Sequence, residues 1–275
     1  MIDIHTHILW GLDDGARTIR DSLEMCRIAY RDGIRTVVAT PHTLNGLYQN
    51  DRPAILAKVK ELNSAIRNQL SVNSSEVSNQ SSGISNQSSV STLSTNNGSR
   101  ITDNKLRILP GADVNLCEET LPQLDGGKLT TLGDAGKYVL LEFPFHGIPY
   151  GAEEVLFQLM TRGIIPIISH PERNLAVAQN SRRYHEMIRM GCLGQLTAMS
   201  LTGGFGPEVM RVAKKLLTNG LVHLIASDAH SADGRPPILS DGVCAAEKIV
   251  GREEALRMVT EYPQALLEGR RPTIG

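Results

Sequence analysis

The chain has 275 residues, of which 41% are hydrophobic, and this apolar content is enough to bury a sizeable core. Its 28 Lys and Arg against 29 Asp and Glu give a net charge of -1, which excludes a nucleic-acid-binding protein held by a large basic surface. No stretch approaches the roughly 20 apolar residues that span a bilayer, and MIDIHTHILW at the N-terminus lacks the basic start and apolar run of a signal peptide.

Short apolar runs alternate with amphipathic segments along most of the chain. The runs that predict strands cover residues 1–5, 35–40, 106–111, 138–143, 164–169, 192–197 and 222–227, and the segments that predict helices cover residues 22–31, 53–68, 153–161, 182–190 and 207–218. Gly33, Gly163, Gly191 and Gly220 each precede a predicted strand, as helix C-caps do. Apolar strands that alternate with helices predict a parallel sheet covered on both faces. Seven such units without a GxGxxG or Walker A motif favour a distorted barrel over an open sheet.

Residues 71–99 differ in composition from the rest of the chain. They contain 12 serines and one charged side chain, and the pentamer SNQSS occurs twice, at 78–82 and 85–89. A segment of this kind cannot bury enough apolar area to offset its ordering entropy. We therefore predict a disordered insert within a single domain that covers residues 1–275.

Histidines and carboxylates stand at or just after the ends of the predicted strands. The histidines are His5, His7, His42, His170 and His230, and the acids are Asp14, Asp113, Glu142 and Asp228. In a parallel barrel the carboxyl ends of the strands open onto one face, where active sites form. We predict that these nine side chains converge on one pocket.

The spacing of these residues favours a metal site. His5 and His7 stand two residues apart, which puts both imidazoles on one face of an extended chain and within reach of one ion. Asp228 and His230 repeat that spacing. Nitrogen and oxygen ligands without thiolates favour Mn, Fe or Zn over a structural zinc site. Nine ligands exceed the needs of one ion, so we predict two or three metals with bridging groups.

Two arginines lie close to the predicted ligands, Arg173 in SHPER and Arg235 in DGRPP. Guanidinium groups beside metal ions suit an anionic substrate, and phosphate in particular, because they bind its oxygens bidentately. We predict that both arginines contact the substrate.

Other polar residues are ambiguous or are expected outside the site. Asp13 is adjacent to Asp14, and spacing alone does not choose between them as the ligand. His146 lies in the loop after the fourth predicted strand and is either a substrate contact or a loop residue. We expect His185 to face solvent on a helix and His223 to be structural, at the opposite end of its strand.

The order of these motifs resembles a known family. MIDIHTHIL at 1–9, DDG at 13–15, TPH at 40–42, LLEFP at 140–144, SHPER at 169–173 and ASDAH at 226–230 followed by DGRPP are similar to the PHP (polymerase and histidinol phosphatase) superfamily. Within it, the chain resembles the bacterial manganese-dependent protein-tyrosine phosphatases of capsule and exopolysaccharide operons, the CpsB/CapC-like branch. The similarity runs to about residue 265, interrupted by the serine-rich insert, and it implies a (β/α)7 PHP-type barrel with three metals.

The resemblance also implies an assignment of ligands to three ions. It places His5, His7 and Asp228 on one metal, Asp14, His42 and His230 on a second, and Glu142 with His170 on a third. In the family a glutamate of a GxE-type motif bridges the first and third metals. This chain has GADV at that point, so Asp113, which is one methylene shorter, takes the place of the glutamate.

The function that the resemblance implies is Mn2+-dependent hydrolysis of phosphotyrosine on a protein. The implied substrate is the tyrosine-rich C-terminal tail of a bacterial tyrosine kinase, so that the reaction regulates capsule or exopolysaccharide biosynthesis. Water activated by the metals would attack phosphorus in line with the tyrosyl oxygen, while Arg173 and Arg235 hold the equatorial oxygens.

The cysteines agree with this interpretation. None of Cys26, Cys117, Cys192 and Cys244 has an arginine six residues further on, so the Cys-x5-Arg loop of thiol phosphatases is absent. They also lack CxxC spacing, which is typical of a reducing compartment, and we therefore expect a cytoplasmic protein.

Three alternatives stay open from the sequence. The first is a small-molecule phosphatase of the histidinol-phosphate type, and the second is a metal-dependent amidohydrolase or nuclease. The third is a metal-binding regulatory module with little catalysis, which the aspartate at position 113 keeps in consideration. The oligomeric state also stays open, because no heptad repeat or apolar surface patch can be recognised.

Overall fold

The computed structural model describes residues 1–78 and 106–274, with side chains for 1–68 and 106–274. The strands of this part of the chain are Ile2–Thr6 (β1), Thr36–Ala39 (β2), His42–Thr43 (β3), Arg107–Pro110 (β4), Asp113–Asn115 (β5), Tyr138–Glu142 (β6), Ile165–Ser169 (β7), Leu193–Thr197 (β8) and Leu224–Ala226 (β9). Six of the seven predicted apolar runs contain one of these strands, and the first run overlaps β1, which extends one residue further to Thr6. The two short strands β3 and β5 were not predicted separately.

The strands form a closed parallel barrel. They pair in the order β1-β2-β4 in one sheet and β3-β5-β6-β7-β8-β9 in the other. Since β3 follows β2 directly and β5 follows β4 directly, each of these two pairs forms a single wall of the barrel. A parallel bridge between Thr6 and Ala229 joins β1 to the segment after β9 and closes the ring. The ring has seven walls, and the predicted distorted (β/α)7 barrel is confirmed.

The distortion arises where two walls are interrupted. Pro41, between β2 and β3, has no N–H for the ladder, and its carbonyl accepts the Asp113 N–H at 3.2 Å. Gly111 lies between β4 and β5, where a Cβ would be 2.7 Å from Val38 Cγ1. The close approach requires glycine. After these interruptions His42 and Asp113 are direct partners across β3 and β5.

The helices of the described residues cover the outside of the barrel. They are Ile19–Arg31 (α1), Arg52–Ser78 (α2), Thr120–Asp125 (α3), Ala152–Thr161 (α4), Leu175–Gln179 (α5), Arg182–Met190 (α6), Ala198–Thr202 (α7), Pro207–Thr218 (α8), Ser240–Val250 (α9), Arg252–Arg257 (α10) and Glu261–Leu267 (α11). All five predicted helices are present, and α6 and α8 have the predicted bounds. The four glycines predicted as C-caps all have positive φ, which is the conformation such caps require. No helix among the described residues has the length and apolar content to cross a membrane.

Of the other three predicted helices, α4 begins one residue earlier than predicted, at Ala152, and α1 and α2 differ by more. The helix α1 begins at Ile19 rather than at residue 22, because Thr18 and Asp21 form a reciprocal capping box. The helix α2 continues to Ser78, so residues 71–78 of the segment predicted to be disordered are helical. Residues 79–99 of that segment lie outside the described residues.

The interior of the barrel is partly polar. Along β1, Ile2 and Ile4 alternate with Asp3 and His5, so the apolar and polar side chains point to opposite faces of the strand. Asp3 and His5 are fully buried, and both are hydrogen-bonded: Asp3 accepts from the Ser227 N–H at 3.0 Å, and His5 Nδ1 lies 2.8 Å from Gln195 Oε1. Buried polar side chains thus lie in the barrel interior from its middle to the carboxyl ends of the strands.

Candidate metal centre

The structure brings all nine predicted ligands together at the carboxyl ends of the barrel strands. His5, His42, Asp113 and Glu142 belong to β1, β3, β5 and β6, and His7, His170, Asp228 and His230 follow β1, β7 and β9. Asp14 lies in the loop before α1 and has an exposed side chain, whereas the side chains of the other eight are at most 19% exposed. The site is therefore a buried cluster with an opening at Asp14.

One group of ligand atoms comes from two parts of the chain that are far apart in the sequence. His5 Nε2 and His7 Nε2 are 3.2 Å apart, and each is 3.4 Å from Asp228 Oδ1. Two ligands of one ion with bonds of about 2.1 Å are themselves about 3.0 to 3.4 Å apart in octahedral or tetrahedral geometry. The three atoms therefore have the separations of a shared coordination sphere.

A second group lies at the opening of the site. Asp14 Oδ1 is 3.7 Å from His42 Nε2 and 3.5 Å from His230 Nε2. The His7 imidazole also lies close enough to share an ion with these three side chains. His7 is therefore positioned between the first and second groups.

Asp113 lies at the centre of the remaining ligands. Its Oδ2 is 3.6 Å from His5 Nε2, 3.4 Å from His42 Nδ1 and 3.9 Å from His170 Nε2. Its Oδ1 accepts a hydrogen bond from Ser169 Oγ at 3.1 Å. The Glu142 carboxylate lies beside the same histidines: its Oε2 is 3.5 Å from His42 Nδ1, and its Oε1 is 3.5 Å from His170 Nε2. Asp113 thus lies between the ligands of two groups.

Three imidazoles of the cluster have the protonation state that suits metal binding. Burial lowers the pKa of His5, burial and the adjacent Arg173 lower the pKa of His170 to about 4, and burial and His7 lower the pKa of His230 to about 2. These three imidazoles are neutral at pH 7, and neutral imidazole is the form that binds metals. Although burial acts in the opposite direction, His5 and His7 hold the pKa of Asp228 well below its usual range.

Two buried atoms in the cluster lack hydrogen-bond partners within the described residues, His42 Nδ1 and Asp113 Oδ2. Although burial alone would raise it, His5, His170 and His42 hold the pKa of Asp113 well below its usual range. A buried, ionised oxygen without a donor is costly unless a cation is its partner. These two atoms and the mixed nitrogen and oxygen donor set fit bound metal ions.

Asp13 orients the ligands, whereas Asp14 reaches the cluster. Asp13 Oδ2 is 2.6 Å from His7 Nδ1 and accepts the His42 N–H at 3.0 Å. Although burial acts against the shift, Asp13 and Asp228 raise the pKa of His7 to about 10. The sequence could not assign these roles, because they depend on the rotation of the His7 ring. Gln195, which contacts His5, and Ser169, which contacts Asp113, were not predicted either, because their contacts also depend on side-chain rotation.

The two predicted arginines lie beside the cluster and contact the same ligand. Arg173 and Arg235 both donate to Asp228 Oδ2, and both lie over the ring of Phe205, at 4.8 and 5.4 Å from its centroid. The backbones of His170 and Asp228 adopt φ values of 31° and 51°. Left-handed backbone at residues other than glycine is strained and is concentrated at functional sites.

The other three histidines lie outside the cluster. His223 is buried, and its Nδ1 accepts a hydrogen bond from the Gly194 N–H at 3.0 Å, which is the structural role predicted for it. His185 is exposed on α6, as expected. His146 is also exposed, in the loop after β6, and its ring packs edge-on against Phe145.

The fold and the site define a class, that of parallel-barrel proteins with a candidate polynuclear metal centre at the carboxyl ends of the strands. Residues 1–74 and 74–268 match the model of the family described as capsular polysaccharide synthesis, CpsB/CapC. The chain belongs to this family, and the resemblance in the sequence motifs is confirmed.

Similar proteins cover almost the whole chain. The tyrosine-protein phosphatase YwqE of Bacillus subtilis (strain 168) is 34% identical over 270 residues, which are 98% of this chain and 92% of the relative. The tyrosine-protein phosphatase CpsB of Streptococcus pneumoniae is 28% identical over 272 residues, 97% of this chain and 98% of the relative. One solved structure, from work on YwqE and CpsB as unique metal-dependent tyrosine phosphatases, superposes with a TM-score of 0.82 at 32% identity and covers 100% of both chains.

Proposed function

We propose that this protein is a metal-dependent protein-tyrosine phosphatase. The observation that carries the proposal is the pair of partly buried guanidinium groups of Arg173 and Arg235 at the edge of a nine-residue cluster of metal-ligand side chains. This combination suits a phosphate ester, because guanidinium groups bind phosphate oxygens bidentately. The relatives named tyrosine-protein phosphatases support phosphotyrosine as the ester.

We assign the nine clustered side chains as ligands of Mn2+ ions, up to three in number. His5, His7 and Asp228 would hold one ion, Asp14, His42 and His230 a second, and Glu142 and His170 a third, with Asp113 placed between the ligands of the first and third. Four carboxylates among the ligands favour Mn2+, and metal analysis of the purified protein distinguishes it from Fe and Zn. When bound, such ions lower the pKa of water towards neutrality and offset the charge on phosphate oxygens.

The side chains of the protein position the substrate. Arg173 and Arg235 exchange their contacts with Asp228 for contacts with phosphate oxygens, which holds the phosphoryl group in one orientation. The Phe205 ring beneath both guanidinium groups restricts their movement through cation–π contact. Asp13 and Gln195 fix the rings of His7 and His5 through their Nδ1 atoms, so the Nε2 atoms stay directed into the cluster.

The proposed biological substrate is the phosphorylated tyrosine-rich tail of a bacterial tyrosine kinase, in the cytoplasm. The family description, capsular polysaccharide synthesis, supports a role in regulating capsule or exopolysaccharide production. Asp14 at the exposed edge of the cluster supports access by a protein segment, because a fully enclosed site would admit only small molecules.

The test is hydrolysis of a phosphotyrosyl peptide by the purified protein with Mn2+, before and after chelation. We expect phosphate release that chelation abolishes, that Arg173→Ala reduces at least tenfold, and that the distant control Arg211→Ala leaves unchanged. Bound metal without release of phosphate would refute the proposal. Turnover of histidinol phosphate but not of the peptide would favour a small-molecule phosphatase, and metal binding without turnover of any ester would favour a regulatory module.

A further inference from the structure

The loop after β6 carries an exposed aromatic ring at the edge of the metal cluster. Phe145 is 59% exposed, and it lines a small recess next to the cluster. The same recess is lined by Glu142 and His170, two of the candidate metal ligands, and by the guanidinium-bearing side chain of Arg173. The Phe145 ring therefore borders the place where the proposed function puts the phosphate.

Hydrogen bonds fix the backbone on both sides of Phe145. The buried Asn174 donates from Nδ2 to the Pro144 carbonyl at 2.9 Å and to the Gly147 carbonyl at 3.0 Å. The Phe145 carbonyl accepts the Leu175 N–H at 3.1 Å. Asn174 comes directly after the arginine that lines the recess, so one turn of the chain carries the guanidinium group and also anchors the loop. The protein thus sets the position of the ring before a substrate binds.

Phe145 differs from the phenylalanines that pack in the core and from those that are simply exposed. Phe143, two residues earlier, is 5% exposed and belongs to the buried apolar cluster. Phe157, on α4, is 53% exposed, but it does not line the recess. The ring of Phe145 meets the exposed His146 edge-on, with the centroids 5.1 Å apart. Its remaining surface is open to a ligand in the recess.

The chemistry of a phosphate ester decides what would lie next to this ring. In an aryl phosphate the carbon bonded to the ester oxygen is part of the aromatic ring, so that ring lies directly beside a phosphate held by Arg173. In an alkyl phosphate such as phosphoserine the same position holds a methylene group, which offers much less apolar surface. Two aromatic rings attract each other in offset-stacked or edge-to-face geometry, in addition to the gain from burying their apolar area.

We infer that Phe145 is a specificity-determining residue: its ring contacts the aromatic ring of the phosphotyrosine and favours aryl over alkyl phosphate esters. This inference rests on the proposed function, and it names the part of the substrate that this side of the site recognises. A contact between two aromatic rings changes affinity about twofold to tenfold. Because no charge takes part in the contact, salt should not weaken it as it weakens an ion pair.

The test compares two competitive inhibitors, benzylphosphonate and ethylphosphonate, in the Mn2+-dependent hydrolysis of a phosphotyrosyl peptide. Both have a methylene group in place of the ester oxygen, and they differ in whether a phenyl ring or a methyl group follows it. For the wild-type protein we expect a Ki about threefold to tenfold lower for benzylphosphonate. Phe145→Ala should raise that Ki about twofold to tenfold and leave the Ki of ethylphosphonate unchanged. Phe145→Tyr, which keeps an aromatic ring, should keep the wild-type ratio.

The peptide itself provides a second measurement. In Phe145→Ala we expect KM for the phosphotyrosyl peptide to rise about twofold to tenfold while kcat changes less, because the contact binds the substrate and not only its transition state. Since Phe145 is exposed, its removal should leave the folded protein intact. The matched control is Phe157→Ala, which removes a phenylalanine of similar exposure outside the recess and should keep both the KM and the ratio of inhibition constants.

Three results would overturn the inference. They are equal inhibition of the wild-type protein by the two phosphonates, an unchanged ratio in Phe145→Ala, and an equal loss of the ratio in Phe157→Ala. In each case metal-dependent turnover of the peptide leaves the proposed function intact. Absence of turnover of every phosphotyrosyl substrate would refute the proposed function and the inference with it.

Discussion

Three of the clustered imidazoles have one ring nitrogen fixed by a hydrogen bond. His5 Nδ1 contacts Gln195, His7 Nδ1 contacts Asp13, and His230 Nδ1 lies 2.9 Å from the Asp228 carbonyl. In metal sites such outer contacts fix the tautomer and the orientation of the ring. Hydrogen bonds within the protein thus hold these three imidazole rings in place.

The contact between Asp13 and His7 gives a prediction. Asp13→Asn removes the charge beside His7 Nδ1, so the ring is less firmly oriented, and we expect about tenfold to hundredfold weaker metal binding. The measurement is competition with a chelator of known affinity, and Asp233→Asn, on the nearby loop, is the control. Equal metal affinity in Asp13→Asn and the wild type would show that His7 is oriented by other contacts.

The nine clustered residues could be predicted from the sequence, whereas the residues that orient them could not. His42 and Asp113 were predictable because strand-end position in a parallel barrel decides which side chains share a face. Asp13, Gln195 and Ser169 act through the rotation of a neighbouring side chain, which spacing along the chain does not determine. Their contacts became visible only in the structure.

At the scale of elements, the interruption at Gly111 brings two barrel walls close together. In Gly111→Ala the new Cβ would meet Val38 Cγ1 at 2.7 Å and Thr40 Cγ2 at 3.1 Å. We expect a loss of about 1 to 3 kcal/mol in the free energy of unfolding, because a packed interior resists added volume. Gly147→Ala, whose Cβ would have no neighbour within 4 Å, should stay within about 0.5 kcal/mol of the wild type in urea unfolding. Equal stability of the two variants would contradict this account.

The pairing of β8 with β9 contains a pH-sensitive group outside the cluster. Burial, together with Arg271, lowers the pKa of His223 to about 4, and its Nδ1 accepts the Gly194 N–H. The pKa of an unfolded histidine is about 6.5, so the unfolded chain takes up this proton first as the pH falls. The stabilisation is complete above pH 6.5 and is lost between about pH 6.5 and 4.

We expect this loss to be about 2 to 3 kcal/mol for the wild type. His223→Asn keeps an acceptor for Gly194 but cannot take up the proton, so it should lose less stability between pH 7.5 and pH 4. Urea unfolding at both pH values, with chelator present to remove metal effects, measures the difference. Identical pH dependence in the two proteins would rule out His223 as the source.

Long amphipathic helices were predictable, but short ones and those with glycine were not. The helix α5, Leu175–Gln179, is too short to show a period. The helix α9 contains Gly242, which lowers helix propensity but allows close packing, since a Cβ there would lie 2.6 Å from Ala198 Cβ. Tertiary contacts, rather than the local sequence pattern, thus determine that these two helices form. The predicted disorder of residues 79–99 stays a prediction.

For the whole molecule, the candidate ligands connect most walls of the barrel, since they lie on or directly after β1, β3, β5, β6, β7 and β9. A ligand that binds only the folded chain stabilises it by about 2.7 kcal/mol at a concentration 100 times its Kd. We therefore expect added Mn2+ to raise the thermal midpoint and chelator to lower it. His42→Ala should show a smaller increase with Mn2+, and a midpoint that does not respond to Mn2+ in the wild type would contradict metal binding at this site.

The barrel closes between the two ends of the chain, where the Asp228 N–H donates to the His5 carbonyl and the His7 N–H donates to the Ala229 carbonyl, both at 2.8 Å. This closure has a consequence for biosynthesis. Because chains emerge from the ribosome N-terminus first, His5 and His7 wait for their partner Asp228 until most of the protein has been made. A chain that has not yet been synthesised past Asp228 and Ala229 therefore lacks the complete site, and activity begins only after the last wall of the barrel has been translated.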